Sequence, residues 1–68
     1  MIAYQIKKQR EKMEEDFSIM IHSIKRFEKD PNKITKKEVL AKFRKFNYTK
    51  NTLTSFIKDI MVIEKEGE

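Results

Sequence analysis

Histidine, cysteine and paired carboxylates carry most side-chain chemistry, and this sequence of 68 residues offers few arrangements of them. His22 is the sole histidine and cysteine is absent. A Ser-His-Asp set, a His-pair metal site, a thiolate nucleophile and a disulfide staple therefore all lack members. Glu14, Glu15 and Asp16 are consecutive, but neighbouring helix residues fan apart, whereas acid–base work needs two groups converging on one substrate. Asp30-Pro31-Asn32 lacks the glycine and terminal glutamate of a calcium loop, and no glycine-rich phosphate cradle exists. The reading is a non-enzymatic chain without a cofactor.

The chemistry that remains is charge. Lys and Arg number 16 against 11 Asp and Glu, a net of +5 with a pI near 9.6, and the excess is local. It falls on Lys25, Arg26, Lys29, Lys33, Lys36, Lys37, Lys42, Arg44, Lys45 and Lys50. Such a cluster suits phosphates, each contact releasing counterions so that affinity falls with salt. An ordinary solvated helix face is the plainer reading. A second signal follows it: Asn51, Ser55, Lys58 and Val62 share one helical face, flanked by Thr52 and Thr54. Asn, Ser and Thr are mediocre helix formers, so stability alone does not favour them there. Asn suits adenine edges, while lysines suit guanine or backbone. Asp59 nearby opposes phosphate, and drift on a wet surface explains the same face.

The elements that must position these residues read as helices throughout. From Ile2 to Lys29 the apolar residues Ala3, Ile6, Met13, Phe17, Met20, Ile24 and Phe27 recur in steps of three and four, with Arg10 in the missing place, a heptad stripe. Ile19 faces away from it. Asp30-Pro31 ends this helix. Thr35-Lys36-Lys37-Glu38 fits a capping box, with Ile34 and Val39 as its staple, and starts a second helix over about 36–46. Asn47 suits a left-handed closing turn. Thr49 then caps a third helix over about 50–64, and a tail over 65–68 frays. Continuous apolar runs such as Ile19-Met20-Ile21 and Ile60-Met61-Val62-Ile63 are too short for a membrane span or signal segment. One small all-α domain over 1–68, cytoplasmic and without membrane, is expected.

The stretch Val39 to Lys58 resembles the helix-turn-helix motif of bacterial and phage DNA-binding proteins. Phe43, Phe46, Tyr48, Leu53 and Phe56 stand at its buried places, Asn47 at the turn and Thr49 at the recognition-helix cap. Phe43 occupies a position where the family has alanine, which leaves a plain helical hairpin as the other arrangement. The resemblance implies double-stranded DNA as partner in transcription regulation, with Lys50, Asn51, Thr54, Ser55 and Lys58 at bases. Lys33, Lys36, Lys37, Arg44 and Lys45 are the phosphate contacts.

Lengths add a further expectation. At about 1.5 Å per residue the first helix spans about 42 Å and the third covers roughly 24 Å of it. The amino end then overhangs, exposing Ile2, Ile6, Arg10, Met13 and Phe17 as a homodimer interface of coiled-coil type. The rival reading is a protein-interaction module, a small phage- or plasmid-type inhibitor docking a larger protein through the first helix. Association with RNA by charge alone is a third.

Overall fold

The computed structural model describes the backbone of residues 2–67 and the side chains of residues 2–62. It holds two helices, α1 (Ile2–Lys29) and α2 (Lys33–Gly67), packed antiparallel as a hairpin. The molecule is a rod of 54 × 16 × 13 Å. The all-α reading and the range of the first helix agree with this architecture. The division of the remainder does not.

α1 ends where Asp30 precedes Pro31, its last turn closed by the Asp30 amide on the Arg26 carbonyl at 3.0 Å. Arg26 and Lys29 stand in that turn, where cations suit the helix dipole. α2 begins three residues earlier than the Thr35 capping box implies. Asn32 is the cap: its Oδ1 accepts the amides of Ile34 at 2.8 Å and Thr35 at 3.0 Å. Thr35 Oγ1 accepts the Asn32 amide in return, at 3.0 Å, and donates to the Asp30 carbonyl at 2.9 Å. The capping box is thus Asn32 with Thr35. Glu38 is released to bind Arg26, and Ile34 is largely exposed, so it staples nothing.

The expected helices over 36–46 and 50–64 are one uninterrupted element. No described residue other than glycine has positive φ, so Asn47 makes no left-handed turn. Two causes keep the helix going. Neither glycine nor proline lies between Lys33 and Val62, and each mediocre former costs only about 0.7 kcal/mol or less. The threonines also satisfy their hydroxyls internally. Thr49, Thr52 and Thr54 donate to the carbonyls of Phe46, Tyr48 and Lys50 at 2.9, 3.0 and 3.0 Å. Thr49 is a buried mid-helix residue and caps nothing.

The merger removes the amino-terminal overhang. At about 1.5 Å per residue α2 is roughly 52 Å long against about 42 Å for α1. Gln9 Nε2 donates to the Thr49 carbonyl at 3.1 Å, and Arg26 Nε to Glu38 Oε2 at 3.3 Å. These two bonds fix the register, and α1 is paired from end to end. The longer partner is α2, which runs past the start of α1. α2 runs to Gly67; Glu68 of the tail expected to fray over 65–68, and all side chains from Ile63 onward, lie outside the described residues.

The seam between the helices runs through Ile6, Gln9, Met13, Asp16, Met20, Ser23 and Phe27 of α1. It shares Ile6, Met13, Met20 and Phe27 with the expected stripe. The alternate layer, however, is Gln9, Asp16 and Ser23, seven residues apart and polar, in place of Arg10, Phe17 and Ile24. Ser23 is fully buried, and a side chain this small lets the helices approach closely; its Oγ donates to the Met20 carbonyl at 2.7 Å. From α2 the seam takes Val39, Lys42, Phe46, Thr49, Leu53 and Phe56. Met20 and Leu53 are the only buried large apolar side chains among the described residues.

Candidate functional site: an apolar side and a basic back

A seam that spends half its layers on polar residues leaves apolar ones elsewhere. Helical geometry, about 100° per residue, places Ala3, Arg10, Phe17 and Ile24 in one row along the flank of α1. Val39, Phe43, Lys50, Ile57 and Met61 form the corresponding flank of α2. An antiparallel pair turns these corresponding flanks to the same side, and the Phe17 and Phe46 rings, with centroids 5.3 Å apart and tilted by 56°, mark it. Phe17 is 46%, Phe43 50%, Ile57 45% and Met61 62% exposed. The aromatic rings sit at mid-length, with Ile24 and Val39 toward the tip and Ile57 and Met61 toward the open end.

The opposite side carries the ion pairs, with Ile34 and Tyr48 exposed among them. Arg26 grips Glu38 with two guanidinium nitrogens, and Lys45 Nζ lies 3.7 Å from the buried Asp16 Oδ1. Beside that pair is a groove of about 380 Å³ lined by Lys12, Glu15, Asp16, Lys45, Tyr48 and Thr49. Its two lysines and two carboxylates cancel, so it offers no net field to an ion. Among the described residues no three His, Asp or Glu side chains gather as metal ligands.

The back of α2, facing away from α1, holds the remaining charge. Lys33, Lys37, Arg44, Asn51, Ser55 and Lys58 follow one line there, all exposed. The base-contact set expected from the sequence is therefore split. Asn51, Ser55 and Lys58 share the back, whereas Lys50 turns to the apolar flank and the Thr54 hydroxyl is spent on the Lys50 carbonyl. Of the phosphate set, Lys33, Lys37 and Arg44 align, Lys36 lies beside them, and Lys45 is drawn to Asp16. No separate recognition helix exists to carry these residues into a groove, because Val39 to Lys58 is continuous helix.

The expected interface on α1 is likewise divided. Ile6 and Met13 are half-buried in the hairpin's own seam. Arg10 occupies no seam position and pairs in solvent with Glu14 at 2.7 Å. Ile2 and Phe17 stay exposed. His22 is exposed, and Ile19, on the face away from the expected stripe, is half-covered. The apolar flank of α2 escaped the sequence reading altogether, although Phe43, Lys50 and Ile57 at intervals of seven carried its signal. Among the described residues no helix is long and apolar enough to cross a membrane. The chain matches no protein-family model, no curated protein and no solved structure, so its function rests on its own residues.

Proposed function

We propose that this chain is a non-catalytic protein-interaction hairpin that works by laying its apolar side against another helical surface. One observation carries the reading: Phe17, Phe43, Ile57 and Met61 stand substantially exposed on one side while polar residues occupy the seam. Exposed apolar residues gathered on one side of a small protein mark a contact site. Rows at helical spacing suit a helix or helix pair as occupant. The interaction surface differs from the one the sequence suggested, since it belongs to both helices and not to α1 alone.

Methionine oxidation tests it. Met61 is the most exposed of these residues, and peroxide treatment of cells producing the chain, followed by peptide mass mapping, reads its cover. Oxidation of Met61 several-fold slower than in the denatured chain agrees with a covered apolar side. Oxidation at the denatured rate overturns the reading.

A second reading rests on the line of Lys33, Lys37, Arg44 and Lys58 along the back of α2, with Asp59 at its edge. This line suits a nucleic-acid backbone, held by charge and so weakened by salt. Double-stranded DNA stays a candidate partner on that ground, through phosphates first and Asn51 and Ser55 second. Gel-shift titration at two salt concentrations decides: binding lost on replacing Lys37, Arg44 and Lys58 by glutamate supports it. Absence of binding at low salt removes it.

A further inference from the structure

We infer that the occupant of the apolar side is a second copy of this chain, packed antiparallel to the first as a four-helix dimer with its two-fold axis across Phe17, Phe43 and Phe46. The inference rests on the proposed interaction reading and names its partner.

Area is the first argument. The chain exposes 5754 Å², whereas a folded monomer of 8.3 kDa exposes about 4,600 Å². The excess is roughly 1,150 Å² per chain, or about 2,300 Å² for a pair, and obligate homodimers bury on the order of 2,000–5,000 Å². A pair that covers this surplus on both copies falls within that range.

Self-complementarity is the second. A two-fold contact must place each residue against its mirror position along the rod. With the axis at mid-length the aromatic rings meet aromatic rings. The Ile57 and Met61 end of one copy then meets the Ile24 and Val39 end of the other. Ile57 then lies toward Val39 of the other copy, while Arg10 falls opposite Ile24 and Lys50 opposite Phe43, their aliphatic stems packing and their charges reaching the rim. A parallel pair lays α1 on α2 of the other copy and sets Arg10 beside Lys50. The antiparallel pair separates these cations. The small cross-section of the rod, 16 × 13 Å, leaves both helices of each copy within reach of the partner, and bundles of four helices close their cores this way.

The native absence of cysteine makes the test direct. Phe43→Cys places one thiol beside the proposed axis, and Ser55→Cys places one on the back of α2. Light scattering on the unaltered chain is expected to give twice 8.3 kDa, and mild oxidation to join the Phe43→Cys chains at least tenfold faster than the Ser55→Cys chains. Phe43→Glu is expected to return the mass to that of one chain. Three results overturn the proposal. A chain of single mass that binds a hydrophobic dye discards the second copy but keeps the interaction reading, because the side is open and awaits another protein. A chain of single mass that unfolds cooperatively, binds no dye and ignores Phe43→Glu discards both. A dimer whose Ser55→Cys form links as fast as Phe43→Cys places the axis elsewhere and rejects the arrangement.

Discussion

Asn32 and Asp16 show how single residues set this hairpin. Asn32 caps α2 with two accepted amides, and caps of this kind are worth about 1 kcal/mol. Asn32→Ala is expected to lower the unfolding free energy by about that much, read by urea titration, while Asn32→Asp keeps most of it. Asp16 is a different case. It is buried in the seam beside Lys45, whose own side chain is two-thirds exposed. Replacing Asp16 by leucine removes a desolvated charge and leaves Lys45 in water, so the hairpin is expected to gain stability, by roughly 1 kcal/mol or more. A fall in melting temperature on Asp16→Leu contradicts this account of the seam. The caps were partly legible from residue types. Thr35 was correctly placed near a helix start, but both Asn32 and Thr35 are capping residues, and only the bonds they make assign the cap to Asn32.

The elements divide into what local sequence decides and what packing decides. Asp30-Pro31 ends α1 by steric necessity, so that boundary was legible. Asn47 merely permits a turn, and a residue that permits two states is settled by its surroundings. The seam positions Val39, Phe46, Leu53 and Phe56 keep one helical phase through Asn47, which was the signal for continuity. Asn47→Pro is accordingly expected to cost about 3 kcal/mol or more, with a clear loss of helical circular dichroism. Tolerance of proline there implies a real turn and restores the three-helix reading. The phase of the α1 seam was illegible for a related reason. The stripes through Phe17 and Ile24 and through Asp16 and Ser23 share every other layer, and hydrophobicity alone selects the first. Close approach to a second helix selects the second, because Ser23 is small enough to be buried completely. Phe17 and Ile24 thereby become available to something else.

At the scale of the whole molecule these choices produce a rod with three unlike surfaces: an ion-paired side, a basic back and an apolar side. The basic waist was visible in composition, whereas its division among the surfaces needed the register set by Gln9 and Arg26. Among the described residues Met20 and Leu53 are the only buried large apolar side chains, so the dimer we propose would supply cover on the apolar side and couple folding to assembly. Polar replacement of Phe17 and Ile57 together is expected to lower the melting temperature by more than 10 °C, whereas Tyr48→Ser on the ion-paired side leaves it within a few degrees. The most direct measurement is the melting temperature of the unaltered chain, followed by circular dichroism over a hundredfold range of concentration. Coupled dimerisation predicts that it climbs steadily with concentration; a melting temperature that stays constant across the whole range contradicts the account.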